Sequence, residues 1–200
     1  MHSKDAFQFK ITLRGTRPPI WRRIQVPSDF TFWDLHVAIQ DSMGWSDYHL
    51  HEFEIKDSKT GSKVRIGMPD DDAVAWGEVT LPDRELAVAQ YFSQAAPKVK
   101  YLYDFGDGWE HTITLEKTIT RDVALHYPRC VGGKRACPPE DCGGPYGYQS
   151  FLEIIADPEH HDYEQMIDWI GGTFDAEHFD PEEIIFHDPD ERWKSVFKRH

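Results

Sequence analysis

Apolar and polar residues alternate in several short stretches of the chain, and this period of two predicts β-strands. Residues 7–15 and 18–27 form two such stretches, joined by a turn at residues 15–19. Residues 49–55 alternate again. The strongest hairpin signal lies at residues 99–119, where two alternating runs flank the segment DFGDGWEH. The first half of the chain is therefore predicted to be mainly antiparallel β-structure.

One helix is predicted within this β-rich part from its end signals. In residues 31–45, Thr31 stands three positions before Asp34, which predicts a capping box at the start of the helix. Gly44 supplies the stop signal at its C-terminus. The apolar positions between these signals repeat at helical spacing, at Phe32, Leu35, Ile39 and Met43. We expect this helix to pack across the first strands.

Further helices are expected mostly towards the C-terminus. Residues 81–92 form a short candidate helix opened by Asp83. Residues 147–156 and 157–172 predict two more, the second capped by Asp157 and ended by Gly171. Asp180 and Pro181 open another short helix, and residues 191–200 form the last one.

Together these elements predict an α+β fold, with a mainly antiparallel β-sheet, a packed helix (a β-grasp-like start), a Cys/Pro/Gly loop and C-terminal helices. Residues 128–148 contain four prolines and five glycines and are predicted to form an irregular loop. We expect the α+β sheet core at residues 1–127, this Cys/Pro/Gly-rich loop at 128–148, and an acidic helical region at 149–200 packed on the same domain.

The register of the hairpin decides which polar side chains meet. A three-residue loop at residues 106–108 sets apolar residues opposite one another across the two strands, and burial should enforce that alignment. In this register Tyr103 lies opposite His111, which is predicted to be a hydrogen-bonded histidine on the inner face. Asp104 then lies beside Glu110 on the other face of the sheet. The histidine and the two acids are thus predicted to point in opposite directions.

Composition limits the classes of partner. The net charge is −13, and residues 157–190 contain twelve acidic residues and no Lys or Arg. Such a region repels a phosphate backbone, which disfavours direct binding to duplex nucleic acid. No stretch approaches the roughly 20 apolar residues that a membrane-spanning helix needs, and the N-terminus lacks the apolar core of a signal peptide. We expect a cytoplasmic protein without membrane contact.

The three cysteines are clustered, which points to metal or redox chemistry in a cytoplasmic protein. Three thiolates and one imidazole could hold zinc in a tetrahedral site. The predicted zinc ligands are Cys130, Cys137 and Cys142 with His126, while His111 is a further candidate for the imidazole. Two alternatives stay open: buried thiols in a rigid loop, and a disulfide between the second and third cysteine. A catalytic cysteine lacks an assignable histidine partner.

Several segments resemble one protein family over nearly the whole chain. These are PPIWRRIQVP, TFWDLHVAIQDSMGW, HLHEFEI, YLYDFGDGWEH and CVGGKRACPPEDCGGPYGY with the acidic helices that follow. The chain is similar to the Ri-plasmid ORF-3-like family, some members of which are labelled passenger TnpR proteins of insertion elements. The resemblance implies an α+β fold and an association with plasmids or mobile elements, without an established activity. A serine recombinase needs an activated serine near its N-terminus, but this chain begins with a predicted hairpin, has only Ser3 and Ser28 in its first forty residues, and ends in acid-rich helices. The recombinase label therefore gains no support from the sequence.

Two functions are compatible with these features. The first is a non-enzymatic binding module for an unknown protein or small ligand. Its surface would join the hairpin to the loop, through Asp104, Asp107, Trp109, Glu110, His111, Arg129, Arg135 and Tyr146. The alternative is a metal-dependent hydrolase acting on nucleotides or phosphoesters. In that enzyme the hairpin acids and histidine would serve as ligands or general base, and one of the two arginines as a phosphate clamp.

Overall fold

The computed structural model describes residues 3–56, 61–69 and 79–197, which form one eight-stranded sheet with four α-helices. The strands are β1 (Asp5–Leu13), β2 (Trp21–Pro27), β3 (His51–Lys56), β4 (Lys63–Gly67), β5 (Thr80–Pro82), β6 (Lys98–Tyr103), β7 (Trp109–Thr120) and β8 (Arg129–Lys134). The helices are α1 (Phe32–Met43), α2 (Gly144–Ile155), α3 (Tyr163–Ile170) and α4 (Pro189–Phe197). The predicted α+β class is confirmed.

The strand order across the sheet is β5-β4-β3-β6-β7-β1-β2-β8. All neighbouring strands pair antiparallel except β4 and β5, which pair parallel. The long strands β1 and β7 lie at the centre. Their inward side chains form an aromatic core with α1, in which Phe9 lies 4.6 Å from Phe92 and Phe32 lies 5.0 Å from Phe53 between ring centroids. Burial of each such side chain contributes about 1.5–3 kcal/mol.

The start and end of α1 confirm the predicted signals. The Thr31 side chain accepts from the backbone of Asp34, and the Asp34 carboxylate accepts from the backbone of Thr31. Gly44 adopts the left-handed conformation at φ 79° and ends the helix. The predicted apolar stripe at Phe32, Leu35, Ile39 and Met43 is buried, and every other residue of α1 except Asp34 is buried as well. The polar residues of α1 therefore face other parts of the protein, and they build the site described below.

The helix predicted at residues 81–92 is wrong. β5 ends at Pro82, and Val88–Gln90 form a single 3-10 turn. The carbonyls of this segment are used elsewhere: the N–H of Phe32 donates to Leu86 (3.0 Å) and that of Trp33 to Asp83 (3.2 Å). They satisfy the first backbone donors of α1, which have no partner within the helix itself. Because these carbonyls accept from α1, they do not serve as the acceptors of a helix formed by residues 81–92.

The 128–148 segment is more regular than predicted. β8 occupies its first part and pairs with β2 at the edge of the sheet, while α2 begins at Gly144 with a proline in its first turn. An edge strand tolerates glycine, and Gly133 is required there because a side chain would collide with Phe179. Proline suits the first turn of a helix, where its missing N–H is not needed. Only residues 135–143 remain irregular.

The helix predicted from Asp157 begins later, at Tyr163. Asp157 instead organises turns, since its carbonyl accepts from the N–H of His160 at 2.9 Å. The predicted end at Gly171 is confirmed by its left-handed conformation. Asp180 caps a 3-10 turn at Pro181–Glu183, as the short helix predicted there required.

The predicted hairpin register is wrong by two residues. Tyr103 pairs with Trp109, so the connection is a turn of residues 104–108. The reason is Asp104, whose Oδ1 accepts the N–H groups of Gly106 (2.9 Å) and Asp107 (3.2 Å) and closes the longer turn. The expected pair of Asp104 with Glu110 does not form.

A shift of two residues leaves every strand side chain on its predicted face. His111 is buried on the inner face, opposite Tyr101. Glu110 lies on the outer face opposite Leu102, where it forms an ion pair with Lys100 at 2.7 Å.

Candidate functional site

A chain of buried hydrogen bonds connects α1 to the sheet. His36 lies between two partners, with Nδ1 at 2.8 Å from the Tyr101 hydroxyl and Nε2 at 2.8 Å from Oδ1 of Asp47. The Gln40 amide donates to the same hydroxyl at 2.9 Å. One arrangement of protons satisfies all three contacts: the hydroxyl donates to Nδ1, and Nε2–H donates to the carboxylate. His36 is therefore neutral and fixed in one tautomer.

A second histidine stacks on the first. The rings of His36 and His51 lie 3.5 Å apart at an interplanar angle of 12°, and His51 contacts Asp83 at 2.9 Å. Burial lowers the pKa of His36 to about 3 and that of His51 to about 4. Burial raises the pKa of Asp47 to about 6. Two stacked, neutral imidazoles thus lie between two carboxylates.

Donor atoms of His36, Asp47 and His51 lie within 4.8 Å of one another, a spacing compatible with a metal ion. The stacking disfavours this interpretation. A metal lies close to the plane of each imidazole ring at about 2.0–2.1 Å from nitrogen, and parallel rings at 3.5 Å would place a shared ion well outside both planes. Both nitrogens of His36 are also occupied by hydrogen bonds. We interpret this group as a hydrogen-bond network that supports Asp47.

Asp47 also lines a cleft of about 900 Å³. One wall consists of the end of α1 and the residues after it, 41–48, and the other of residues between His178 and Ser195. The Asp47 side chain is 5% exposed and its residue adopts the left-handed conformation at φ 63°. Its Oδ1 accepts from His36, whereas Oδ2 is buried and has no hydrogen-bond partner among the described residues. Asp47 is therefore a lining residue of the cleft whose carboxylate is fixed by His36 and has one oxygen without a hydrogen bond from the described residues.

The far wall of the cleft is attached to α1 by Asp41. Both oxygens of this carboxylate accept hydrogen bonds from the C-terminal segment: Oδ2 from the His187 N–H at 2.8 Å, and Oδ1 from Arg192 at 2.6 Å. Trp33 adds a hydrogen bond to the carbonyl of Pro189 at 3.0 Å. A charged hydrogen bond contributes about 1.5–3 kcal/mol, so these contacts hold the wall in place.

A second group of polar side chains lies where the hairpin turn meets the loop before α2. Nε2 of His49 is 3.0 Å from Oδ1 of Asp141 and 3.6 Å from Oδ2 of Asp104. We call His49, Asp104 and Asp141 the turn–loop cluster. Asp104 is buried and Asp141 is exposed.

The turn and the loop are held together around this cluster. Oδ2 of Asp107 accepts the N–H of Gly143 at 3.1 Å. Gly144 adopts φ 69° and packs so closely on the Asp107 carbonyl that a side chain would collide with it. Glu140 accepts from the Tyr103 hydroxyl at 2.7 Å and from the N–H of Ser46 at 2.8 Å. These contacts place the hairpin turn against the loop before α2.

The residues predicted for the binding surface are only partly brought together. Asp104 and Asp107 lie at the junction of turn and loop, and Tyr146 is 92% exposed on α2. Trp109 is buried and cannot serve as an exposed anchor.

The remaining residues of that predicted surface lie away from the junction. His111 is wholly buried on the inner face, as predicted, but it lies opposite Tyr101, and neither ring nitrogen makes a hydrogen bond of normal geometry with a described residue. Arg129 lies on the edge strand β8, and Arg135 forms an ion pair with Glu177. Glu110 is paired with Lys100, as described above.

The structure does not gather the predicted zinc ligands. In the described part of the chain, the groups with metal-ligand spacing contain only His and Asp. The Cys130 thiol contacts the Gly132 carbonyl, and the Cys137 thiol lies 3.1 Å from Arg22. Burial raises the pKa of Cys137 to about 11 and that of Cys142 to about 12, which disfavours thiolates. His126 is exposed between β7 and β8.

Sequence patterns did not reveal the histidine network. His36 stands inside an apolar helical run, and His51 opens a strand, where each resembles an isolated polar residue. One signal was available: His49 and His51 in HLHEFEI are two positions apart, so in a β-strand their side chains point to the same face. In the structure, His51 belongs to the buried network and His49 to the turn–loop cluster.

Comparison with known proteins agrees with the fold and the resemblance. A curated relative, uncharacterized protein y4hQ of Sinorhizobium fredii (strain NBRC 101917 / NGR234), is 38% identical over 167 residues, covering 83% of this chain and 81% of the relative. The crystal structure of a protein of unknown function, MM3350 from Methanosarcina mazei Go1, superposes with a TM-score of 0.84 at 43% identity. That match covers 91% of this chain and 98% of the other.

These relatives name no activity, so neither the predicted zinc nor the TnpR label is confirmed. None of the helices within the described residues has both the length and the apolar character required to span a bilayer. The sequence model of the family of plasmid pRiA4b ORF-3-like proteins matches residues 5–183. The match covers most of the chain and includes the buried histidine network, the turn–loop cluster and the first residues of the C-terminal cleft wall. The chain therefore belongs to the family of plasmid pRiA4b ORF-3-like proteins.

Proposed function

We propose that this protein is a non-enzymatic binding module that takes up a small polar ligand in the cleft beside Asp47. The observation that carries this proposal is the carboxylate of Asp47, a residue that lines the cleft and whose Oδ2 is buried without a hydrogen-bond partner among the described residues. A buried polar atom that lacks a hydrogen bond costs about 1–3 kcal/mol. A ligand that donates a hydrogen bond to this oxygen recovers that free energy.

The cleft has the size of a small-molecule site, since such sites usually measure about 300–1,000 Å³. Its polar groups favour a ligand with a cationic donor. Asp47, Asp180 and Glu183 line the cleft as acids, while the basic groups Arg22 and Arg192 are already bonded to protein atoms. An ammonium or guanidinium group suits this environment because it only donates hydrogen bonds and carries the opposite charge. We infer that the ligand is a small organic amine or guanidine.

The same geometry favours binding over catalysis. His36, which supports Asp47, is 0% exposed and has both nitrogens engaged, so it cannot exchange a proton with a ligand. The alternative hydrolase required Glu110 and His111 to converge with the acids of the turn. The first is paired with Lys100 on the outer face, and the second is enclosed in the core. No observation favours that reaction centre.

A binding experiment with defined probes tests the proposal. Agmatine, putrescine and butanol would be titrated into the ¹⁵N-labelled protein, and backbone amide shifts would be followed by NMR. We expect the two amines, but not the alcohol, to shift the signals of Trp45 and Tyr48 at the cleft.

The variant Asp47→Asn should bind the amines at least about tenfold more weakly, because it removes the charge but retains the side-chain shape. Asparagine is also tolerated in the left-handed conformation of this residue. Asp168→Asn, an exposed position on α3, serves as the control and should bind like the wild type. Equal affinities for wild type and Asp47→Asn would refute the proposal. Turnover of a phosphodiester by the metal-loaded wild type would refute its non-enzymatic part.

A further inference from the structure

We propose that the turn–loop cluster of His49, Asp104 and Asp141 binds one divalent cation, which joins the hairpin turn to the loop before α2. The cluster offers one imidazole nitrogen and two carboxylate oxygens whose positions all lie within 4.8 Å of one another. It is a different site from the cleft, and it contains none of the cysteines.

The spacing of the donor atoms fits coordination to a single ion. With metal–ligand distances of about 2.1 Å, two ligands at 90–109° around the metal lie about 3.0–3.4 Å apart. The observed separations from Nε2 of His49 are 3.0 Å to Asp141 and 3.6 Å to Asp104. An ion between them requires shifts of a few tenths of an ångström. An exposed side chain such as Asp141 makes that adjustment readily.

The protein alone leaves one of these oxygens without a donor. A neutral imidazole carries a single N–H, so Nε2 of His49 can donate to one carboxylate, and Asp141 is the nearer. Oδ2 of Asp104, at 3.6 Å, is beyond hydrogen-bond distance and has no other donor among residues 3–56, 61–69 and 79–197. Yet Asp104 is only 7% exposed. The Asp104 side chain is 11% exposed, and its Oδ2 faces His49 at 3.6 Å without a hydrogen bond from a described residue, so a cation placed between the two groups would bind this oxygen directly.

Asp104 is also held in the orientation that a ligand needs. Its Oδ1 accepts from the N–H groups of Gly106 and Asp107, which fixes the carboxylate and leaves Oδ2 directed at the cluster. Hydrogen bonds of this kind to the second oxygen orient metal-binding carboxylates in many proteins. The more exposed side of the cluster, at Asp141, leaves room for water as further ligands.

The donor set indicates which ion is preferred. One imidazole with two carboxylates suits zinc, manganese or cobalt better than calcium, which favours a full set of oxygen ligands. We therefore choose zinc chloride and cobalt(II) chloride as probes. The protein would be treated with EDTA, dialysed, and titrated with each salt by calorimetry, and the cobalt absorption spectrum would be recorded.

We expect one zinc per chain in the wild type. Asp104→Asn should weaken binding at least about tenfold. Its amide oxygen can still accept the two backbone bonds and its left-handed conformation suits asparagine, so the turn is retained. His49→Gln is a second variant that removes the nitrogen ligand without touching the turn. Circular dichroism of the EDTA-treated variants verifies their folding.

Two control variants separate this site from its rivals. His161→Gln removes the exposed group of His160, His161 and Asp162, which has similar spacing. Asp47→Asn removes the carboxylate of the buried group formed by His36, Asp47 and His51. Both controls should bind zinc like the wild type. The proposal is overturned if no zinc or cobalt binds at 1:1 stoichiometry, if binding survives both ligand variants, or if it is lost in a control. Amine binding in EDTA tests the cleft separately.

Discussion

The buried imidazole of His111 predicts a specific loss of stability in acid. The side chain is 0% exposed, and burial lowers its pKa from 6.5 to about 3. The backbone groups of Tyr101 and Trp109 lie near the ring and oppose this shift, but no hydrogen bond of normal geometry to the ring forms within residues 3–56, 61–69 and 79–197. No carboxylate lies among the groups that shift this pKa, so the effect of burial is not masked by a charge partner.

The sign follows from proton uptake. Between pH 6.5 and pH 3 the unfolded chain carries a proton on this histidine and the folded protein does not. The stabilisation is therefore fully present above pH 6.5 and is lost as the pH falls. At pH 5, which is about 1.5 units below the unfolded pKa, the loss is about 2 kcal/mol, since each unit corresponds to about 1.36 kcal/mol. That is a large share of the roughly 5–15 kcal/mol by which a protein is stable.

Replacing His111 with leucine removes this pH-dependent contribution to the free energy of unfolding. The free energy of unfolding would be measured from urea titrations followed by tryptophan fluorescence at pH 8, 7, 6 and 5. Between pH 8 and pH 5, His111→Leu should lose about 2 kcal/mol less than the wild type. All other titrating groups are shared, so they cancel in this difference. At pH 8 the variant should be at least as stable, because it also removes two unpartnered nitrogens from the core.

His161→Leu is the control, since that side chain is 83% exposed, and its pH dependence should follow the wild type. Parallel pH profiles for the wild type and His111→Leu would show that the buried ring has partners or is protonated in the folded protein. Either result would refute the reasoning.

Three further changes test the contacts that position the sites. Thr31→Ala removes the N-cap of α1 and should lower the free energy of unfolding by about 1 kcal/mol in urea titrations. Gly144→Ala places a methyl group against the Asp107 carbonyl at a positive φ, so the N–H of Gly143 should exchange with deuterium faster than in the wild type. Asp41→Asn removes the charge that holds the C-terminal segment, so amides of α4 should exchange faster while those of the central strands are unchanged.

The elements whose signals are local could be predicted from the sequence. Alternation located β1, β3, β6 and β7, because one face of each strand meets the core. The cap of α1 at Thr31 and its end at Gly44 were also correct, since both depend on the conformation of a few neighbouring residues. The true start of α3 was missed because Asp157 uses its carbonyl in a turn, which no capping pattern reveals.

The candidate site depended on contacts between distant residues, and most of it was missed. His36, Gln40 and Asp41 are polar residues of α1 whose partners come from β6, the loop after α1 and the C-terminal segment, and helical periodicity does not reveal such partners. The hairpin register failed for a similar reason. Apolar matching favoured a shorter loop, whereas the Asp104 carboxylate stabilised a longer turn through two backbone bonds.

The burial of every residue of α1 except Asp34 affects the order in which a nascent chain can finish folding. When β3 has left the ribosome, His36 and Gln40 still lack the hydroxyl of Tyr101, and Asp41 lacks Arg192. α1 lies early in the chain, but it cannot reach its final packing before the C-terminal segments that contact it are synthesised. Translation must therefore reach α4 before the first helix is sealed, and products that terminate before residue 192 would present its polar side to chaperones and proteases.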